Sequence, residues 1–266
     1  MPQLIDDDST AEAISLEELA DALAVTRADA RDEAAFASLA PLLGQLGRNR
    51  AFLADLAIAE LKDRHRRQNA NNYGAQVMLL HSDARFTIRA NFWPAAGDPL
   101  LRASGGAAFF YDFAHDHNFP FLTQGYFGPG YVSDDYVVDG VAGTPGSLRF
   151  AGRTRLEPGR LMLYRAHRDV HVQHPPEQLS ISLNILARDP AQQWRDQHHY
   201  DVKSGAILRS MTTTPGEVLV ALAVHFGGGN GIDLATSLAA RHPLPRMRDS
   251  AAAALASAGM TERAAA

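Results

Sequence analysis

The chain has 266 residues, of which 46% are hydrophobic and 21% are charged, and it contains no cysteine. This length suffices for one sizeable domain with a buried core. Without cysteine the chain can form no disulfide, no thiolate-ligated metal site and no thiol nucleophile, so any bound metal must use imidazole and oxygen ligands. The formal net charge of −5 disfavours nucleic acid as a partner.

The N-terminal third shows helical periodicity. Ser15 and Glu18 have the spacing of a capping box, and apolar residues follow at helical intervals. A second helix is predicted over about 49–68, with a basic end that we interpret as a solvated helix terminus. These patterns predict an N-terminal helical segment over residues 1–72. Its first ten residues lack the basic and apolar regions of a secretory signal.

After residue 72 the apolar period changes to that of β-strands. In residues 85–92, Phe86 and Ile88 alternate with Thr87 and Arg89, as expected for a strand with two different faces. Many short strands without helical periods between them favour an antiparallel barrel or sandwich over residues 73–200. The other predicted strands, which Gly and Pro turns separate, span residues 76–81, 107–112, 119–127, 131–138, 148–155, 160–166 and 179–186.

Helical signals return in residues 201–266. Thr214 and Pro215 have the pattern of a helix start. The Gly-rich residues 227–231 lack the context of a phosphate loop, so we interpret them as a flexible connector. The Ala-rich residues 251–266 predict a terminal helix that frays. Because no apolar stretch reaches the length of a bilayer crossing, we expect a cytoplasmic protein with no membrane partner.

Histidine is concentrated in the β-region, which holds seven of the eleven histidines between positions 115 and 199. His115 and His117 form a His-x-His pair, whose imidazoles would project from the same face of a strand and could bind one metal ion. His167, His171 and His174 follow about 50 residues later. In a compact barrel, the strand–turn units between the two groups would return the chain beside the first pair.

These residues resemble the two metal-binding motifs of the cupin superfamily, whose members are double-stranded β-helix barrels of the jelly-roll type. The run at 115–117 matches the His-x-His of the first motif, and Gly128 matches its closing glycine. The Pro-Gly turn at 158–159, followed by His171, matches the second motif. The resemblance covers roughly residues 75–200. It implies a mostly β fold in which α-helices precede and follow the barrel.

The resemblance implies a mononuclear metal centre with His115, His117 and His171 as ligands. His167 and His174 are alternatives for the third ligand, although His171 has the better distance from the Pro-Gly turn. Such a site resembles that of thiol-dioxygenase-type cupins in its ligand set. The chain lacks the cysteine that forms a Cys–Tyr crosslink in some of those enzymes.

The first motif departs from the cupin pattern at its glutamate. That position falls at Phe121 or Leu122, neither of which binds a metal. Gln124 is the nearest polar substitute for the missing carboxylate. A three-histidine site without a carboxylate leaves the ion its full charge, which favours an anionic substrate.

Three neutral imidazoles leave several positions around an octahedral ion open. This arrangement suits Fe(II), which can bind substrate and dioxygen together, while Zn, Mn or Ni suit the same ligands. The sequence therefore predicts a non-haem Fe(II) dioxygenase or oxidase that acts on a small polar anionic metabolite and O2. A zinc- or manganese-dependent isomerase, lyase or hydrolase is the alternative on the same barrel.

Tyr126, Tyr164 and Arg165 are the candidate catalytic residues. A phenol near the metal could act as an acid, a base or a hydrogen-bond donor, and the alternative for both tyrosines is aromatic packing. Arg165, like Arg89 and Asn91, could orient an anionic substrate or be an ordinary barrel residue.

Other polar residues near the motifs carry further expectations. Asp116 should point away from the metal, into solvent or a turn, whereas Asp169 could hold one histidine tautomer through its other ring nitrogen. His198 and His199 are expected at the surface, past the last barrel strand.

A different class of function remains open, namely a cupin ligand-binding or sensor module whose helical flanks bind a protein partner. Barrels of this type often pair through edge strands or flanking helices, which favours a homodimer.

Overall fold

The computed structural model of the chain describes residues 2–7, 10–29, 31–63, 66, 68, 71 and 73–259. The chain forms two compact units. The first comprises Met1–Pro190 and Gln197–Arg209, and the second comprises Ala191–Asp196 and Ser210–Ala266. The predicted division into three segments at residues 72 and 200 stays a prediction.

The N-terminal part of the first unit is helical, as predicted. Ser15 and Glu18 form the capping box, with the Glu18 N–H donating to Ser15 Oγ and the Ser15 N–H donating to Glu18 Oε2. The second predicted helix is shorter than expected, and residues 64, 65 and 67 of its predicted end lie outside the described residues. The elements are β1 (Gln3–Ile5), α1 (Leu16–Val25), α2 (Glu33–Ala37), α3 (Ala40–Arg48) and α4 (Phe52–Lys62).

The rest of the first unit is mainly β. Its strands are β2 (Val77–Ser82), β3 (Phe86–Trp93), β4 (Phe121–Phe127), β5 (Val132–Val138), β6 (Leu148–Arg155), β7 (Leu161–Tyr164), β8 (Asp169–His174), β9 (Ser180–Ala187), β10 (His198–Tyr200) and β11 (Ile207–Ser210), with helix α5 (Pro99–Ser104) between β3 and β4. One sheet has the strand order β1-β7-β4-β9-β3-β2, a second has the order β6-β5-β8, and β10 pairs with β11.

The strand order is that of a jelly roll. From β3 to β9 the chain passes repeatedly between the two sheets, and an extended segment around His115 pairs with β8. Such alternation defines the double-stranded β-helix. The predicted fold class is therefore confirmed, with helices before and after the barrel. Within the described residues the helical flanks hold more residues than the strands, so the β character belongs to the central region.

The two faces of the larger sheet have opposite roles. Its outer face contributes Ile88 and Leu122 to a core that also contains Leu19 and Leu43 from the N-terminal helices. Each such side chain stabilises the fold by about 1.5–3 kcal/mol when it is fully buried. Because successive strand residues alternate, the polar residues of β3, including Arg89, point into the barrel.

Two strand expectations differ from the structure. Residues 107–112, predicted as a strand, lie partly in a 3-10 turn over Gly106–Phe109. Phe110 and Asp112 then adopt left-handed backbone conformations, with φ of 57° and 56°, which a β-strand does not contain. Conversely, the sequence patterns did not predict β8, in which only Val170 and Val172 are apolar and the polar His171 and Gln173 face the interior.

The second unit is a helical assembly of α6 (Pro215–Phe226), α7 (Gly228–Arg241) and α8 (Pro245–Ser257). The Gly-rich segment is not a flexible connector, because most of it forms the first turn of α7. A Cβ atom at Gly231 would collide with the Ala223 carbonyl oxygen, so glycine permits the close approach of α6 and α7. Residues 260–266 of the predicted terminal helix lie outside the described part. Among the helices described, none is sufficiently long and apolar to cross a bilayer.

Candidate metal centre

Three histidines converge inside the barrel. The backbones of His115 and His171 exchange two hydrogen bonds of 3.1 Å, which places the two residues side by side. His117, two residues along the extended segment, lies on the same side as His115. His171 Nε2 is 3.1 Å from His117 Nε2 and 3.2 Å from His115 Nε2. The structure thus brings together the three histidines that the sequence singled out.

The arrangement of the donor atoms fits a divalent ion. Two nitrogens that are each about 2.1 Å from one ion, at 90–110° around it, would lie about 3.0–3.4 Å apart. His115 Nδ1 is 2.8 Å from the Phe113 carbonyl oxygen, so Nδ1 donates a proton there and the neutral ring keeps a lone pair on Nε2. The Nδ1 atoms of His117 and His171 are buried and have no hydrogen-bond partner among the residues that the structure describes.

The three imidazoles are neutral near pH 7. Burial lowers the pKa of His115 from 6.5 to about 4. Burial and the neighbouring imidazoles also place the pKa values of His117 and His171 well below the usual range. Neutral rings offer lone pairs to a metal without first losing a proton.

Aromatic side chains surround the three histidines. For each of five aromatic residues, the ring centroid lies between 4.6 and 5.6 Å from that of a histidine. A lining of this kind limits water and strengthens electrostatic interactions inside the barrel. The five rings are those of Phe110, Phe113, Phe119, Phe121 and Tyr164.

Gln173 is the polar neighbour that the sequence did not reveal. It follows His171 by two residues on β8, and its Nε2 is 3.2 Å from His171 Nε2. Its Oε1 is buried without a hydrogen-bond partner, and rotation of the amide would turn this oxygen toward the histidines. The expected substitute, Gln124, lies instead on the outer face of β4 against Gly47 of α3. The sequence signal that could have identified Gln173 is its position two residues after His171, which places both side chains on the same face of a strand.

The candidate catalytic tyrosines occupy different places. Tyr126 lies on the outer face of β4, where its hydroxyl donates to the Asn49 and Arg50 carbonyls, each at 2.9 Å. This corrects the expectation that Tyr126 flanks the histidines. Tyr164 is inside the barrel, with its ring centroid 4.6 Å from that of His171. Its catalytic role stays a prediction.

Arg165 makes an ion pair rather than facing the histidines. Its Nη2 is 2.6 Å from Asp169 Oδ1, and its Nε is 2.9 Å from Asp169 Oδ2. The Arg165 backbone N–H donates to the same carboxylate at 2.8 Å. Asp169 therefore holds the turn between β7 and β8, which corrects the expectation that it orients an imidazole.

The Asp116 carboxylate lies with His167 and His198, not with the three central histidines, which agrees with the expectation that it points away from the metal, but it is fully buried and does not reach solvent. The His198 backbone N–H donates to Asp116 Oδ1 at 2.6 Å. The Nδ1 atoms of His167 and His198 lie 3.3 and 3.2 Å from Asp116 Oδ2, and the Tyr200 hydroxyl donates to this oxygen at 3.2 Å. His167 thus belongs to a second group of residues, on the other side of the extended segment.

The remaining histidines near the motifs lie outside the three-histidine centre. His199 is only partly exposed, and its ring stacks on that of Phe113 at a centroid distance of 3.9 Å. His174 lies between two carboxylates, with its Nδ1 2.7 Å from Asp112 and its Nε2 2.9 Å from Asp134. Of the three candidates for the third position, only His171 lies with His115 and His117.

The opposite wall of the barrel carries buried polar groups. Arg89, Asn184 and Thr123 lie side by side on β3, β9 and β4. Arg89 Nε, Asn184 Nδ2 and Thr123 Oγ1 are buried and lack a hydrogen-bond partner within the described part of the chain. Among the described residues, Arg89 has no carboxylate partner, and its guanidinium carbon lies 4.9 Å from the centre of the Tyr73 ring. Its charge also contributes to lowering the pKa of His115.

A buried carboxyl group lies next to His171. Asp135 is directly opposite His171 in the pairing of β5 with β8. The Thr154 hydroxyl donates to Asp135 Oδ2 at 2.7 Å, and the Tyr164 hydroxyl lies 3.4 Å from Oδ1. Burial raises the pKa of Asp135 from 3.8 to about 6, against the effect of these hydrogen bonds. No sequence pattern marked this residue.

No protein-family model and no curated protein sequence matches the chain. Solved structures similar to it include a cupin domain from Bordetella pertussis Tohama I, with 12% identity, coverage of 44% of this chain and 96% of that chain, and a TM-score of 0.27. Hydroquinone 1,2-dioxygenase from Sphingomonas sp. TTNP3 with 4-hydroxybenzoate bound has 10% identity, coverage of 45% and 69%, and a TM-score of 0.29. A DMSP lyase has 13% identity and a TM-score of 0.27, and the match spans 44% of each chain.

The fold assignment follows from the strand topology of the protein itself. Strands alternate between two antiparallel sheets, and His115, His117 and His171 converge between those sheets. The protein therefore has the double-stranded β-helix fold of the cupins, with three histidines at its centre.

Proposed function

We propose that the protein is a mononuclear non-haem Fe(II) dioxygenase or oxidase that acts on a small anionic metabolite. The observation that carries this proposal is the convergence of three neutral imidazoles in a buried aromatic pocket, where His171 Nε2 lies 3.1 and 3.2 Å from the Nε2 atoms of His117 and His115. His115, His117 and His171 would hold the ion, and Gln173 would offer a neutral oxygen beside them. When bound, Fe(II) supplies the site at which dioxygen and substrate are activated.

The wall opposite the histidines supports an anionic substrate. A buried guanidinium without a carboxylate partner is costly unless an anion neutralises it. Burial lowers the pKa of Arg89, but an arginine stays protonated in proteins, so a substrate carboxylate would relieve this cost. The Asn184 amide and the Thr123 hydroxyl could donate to the same substrate, which would fix its orientation.

The pair formed by Asp135 and Tyr164 is suited to proton transfer. A carboxyl group with a pKa of about 6 exchanges its proton readily near neutral pH. The Tyr164 hydroxyl, 3.4 Å from Asp135 Oδ1, would pass a proton between that carboxyl and a substrate beside His171. This proposal keeps Tyr164 as a catalytic candidate and adds Asp135 to it.

Metal analysis and a nitric oxide probe test the proposed centre. Protein purified without added metal and then loaded with Fe(II) in the absence of oxygen should retain iron, and His171→Ala should retain less iron than the wild type. His174→Ala is the matched control, because His174 also lies on β8 but is outside the centre. Nitric oxide should give a paramagnetic iron–nitrosyl signal by EPR in the wild type. Retention of as much iron by the triple variant H115A/H117A/H171A as by the wild type would contradict the proposed centre.

Oxygen uptake over a panel of small carboxylates tests the proposed chemistry. The expected result is substrate-dependent oxygen consumption that requires iron. Arg89→Met should raise KM for the active carboxylate by about 10–100-fold, with a smaller change in kcat, if Arg89 binds the anion in the ground state. Tight binding of zinc together with turnover that consumes no oxygen would favour the isomerase, lyase or hydrolase alternative instead.

A further inference from the structure

A second group of potential metal ligands lies on the other side of the extended segment that carries His115 and His117. Asp116 lies between these two histidines in sequence, and its side chain points in the opposite direction. His167, in the turn between β7 and β8, and His198, on β10, both face Asp116. Each of the three residues offers one ligand atom, and these atoms all lie within 4.8 Å of one another.

The chemistry of this group suits a divalent cation. One carboxylate and two imidazoles are a common ligand set for first-row transition metals and zinc. The two nitrogen-to-oxygen distances, 3.3 and 3.2 Å, lie within the range of about 3.0–3.4 Å expected for neighbouring ligands of one ion. They exceed the length of about 2.7–2.9 Å that a charge-assisted hydrogen bond usually has. The carboxylate would also neutralise part of the charge of the ion.

Backbone hydrogen bonds hold Asp116 and His167 in place, and the Tyr200 hydroxyl also donates to Asp116 Oδ2 at 3.2 Å. The Asp116 N–H donates to the His198 carbonyl at 3.2 Å, and the His198 N–H donates to Asp116 Oδ1, which leaves Oδ2 to face the imidazoles. His167 has a left-handed backbone with φ of 56°, and its N–H donates to the His117 carbonyl at 2.8 Å. A strained conformation that is held in place in this way is common at functional sites.

An ion could reach this group from solvent. The side chains of His167 and His198 are 34% and 23% exposed, whereas the Asp116 side chain is 1% exposed. The buried carboxylate therefore lies behind two accessible imidazoles, an arrangement in which both histidines can contact an incoming ion. The three-histidine centre, by contrast, is buried.

We propose that Asp116, His167 and His198 form a second binding site for a divalent transition-metal ion. The site is separate from the three-histidine centre, and the two centres share only the backbone of residues 115–117. Its existence does not depend on the proposed oxygenase activity.

Zinc titration of the metal-free full-length protein tests this proposal. We expect equilibrium dialysis followed by metal analysis to give two Zn(II) ions per chain for the wild type. The double variant H167A/H198A should bind one ion, and H115A/H171A should also bind one. His174→Ala is the matched control, because it removes a similarly exposed histidine that also contacts carboxylates, and it should leave two ions bound.

The variant H115A/H171A gives a result that does not depend on how well H167A/H198A folds. It keeps all three residues of the proposed site, and its affinity for Zn(II) should fall at least tenfold when His198→Ala is added. Saturation of the wild type at one ion, or no ion bound by H115A/H171A, would overturn the second site and leave the three-histidine centre intact. Binding of two ions by H167A/H198A would overturn it as well. Circular dichroism should show that each variant is folded.

Discussion

The two groups of histidines on opposite sides of residues 115–117 differ in whether the protein provides hydrogen-bond partners for their polar atoms. The inner group, which consists of His115, His117 and His171, has three imidazoles and no carboxylate. Two of its Nδ1 atoms are buried without a partner among the described residues. The outer group consists of Asp116, His167 and His198. Asp116 accepts hydrogen bonds from a backbone N–H and a tyrosine hydroxyl, and the imidazoles of His167 and His198 both contact it.

This difference indicates that the inner group serves function and that the outer group serves stability. Buried polar atoms that the protein leaves unpaired cost free energy, and proteins retain them chiefly where a ligand or metal completes them. The Nε2 atoms of the inner group converge on one another without a carboxylate, so an external ion would complete them, whereas the contacts of the outer group stabilise the fold even without an ion. Four predictions on the metal-free protein follow, from the largest expected effect to the smallest.

The pH dependence of stability should separate the two groups most strongly. The inner histidines have folded-state pKa values below 6.5, with that of His115 about 4, so the unfolded chain binds more protons between these values. Stability should therefore fall as the pH decreases from 6.5 toward 4, by on the order of 3 kcal/mol from His115 alone.

Hydrogen bonds from His167 and His198 lower the pKa of Asp116, although burial opposes this effect, so its contribution should be lost only below about pH 3.8. Urea denaturation across this pH range is the measurement. A variant with leucine at positions 115, 117 and 171 should lose most of the slope between pH 4 and 6.5. An unchanged slope would show that these residues do not carry it.

Removal of the outer carboxylate should destabilise the protein. In Asp116→Ala, the His198 N–H and the Tyr200 hydroxyl would be left without their acceptor in a buried environment. We expect the free energy of unfolding at pH 7 to fall by about 2–4 kcal/mol, as measured by urea denaturation. Asp112→Asn, which removes the charge of an exposed carboxylate that contacts His174 and keeps a residue that tolerates the left-handed backbone there, should cost less than about 1 kcal/mol. Equal effects of the two substitutions would contradict the structural role of Asp116.

The contribution of Asp135 to stability should depend on pH in the opposite direction to that of the inner histidines. Because burial raises its pKa to about 6, ionisation of Asp135 destabilises the folded state progressively as the pH rises from 3.8 through 6. Asp135→Asn should therefore stabilise the protein by about 1–3 kcal/mol at pH 8 and have little effect at pH 4. Thermal denaturation at the two pH values gives the comparison, and a variant that is destabilised at pH 8 would argue against a destabilising charge.

Substitution of an inner histidine should change the stability least. His171→Leu removes a buried Nδ1 that has no partner and replaces the imidazole with an apolar group of similar size. We expect the free energy of unfolding at pH 7 to stay within about 1 kcal/mol of the wild-type value, while iron binding at the three-histidine centre is lost. A loss comparable to that of Asp116→Ala would mean that the inner group also supports the fold.

Much of the fold could be predicted because the sequence has clear local patterns. The capping box at Ser15, the alternation along β3 and the Gly and Pro turns each depend on neighbouring residues alone. Sequence patterns did not predict the structure where the buried residues are polar. Strand β8 carries His171 and Gln173 in a buried row, so its interior-facing residues are those that sequence patterns assign to the surface.

The candidate site could be predicted in part for a similar reason. The spacing of His115 and His117 on an extended segment already places both imidazoles on one side. The face of β4 could not be assigned from its sequence, because both of its faces are buried, and Tyr126 lies against the N-terminal helices.

The sequence by itself determined that any metal site uses imidazole and oxygen ligands, that the centre of the chain is a barrel, and which histidines are candidates. Only the tertiary structure decided which of them meet. It placed His167 and His171 in different groups, although they are only four positions apart in the sequence, and it placed Asp135, Gln173 and Arg89 around the inner group. The physical reason is that side-chain direction within a strand is local, whereas the pairing of strands depends on the whole chain.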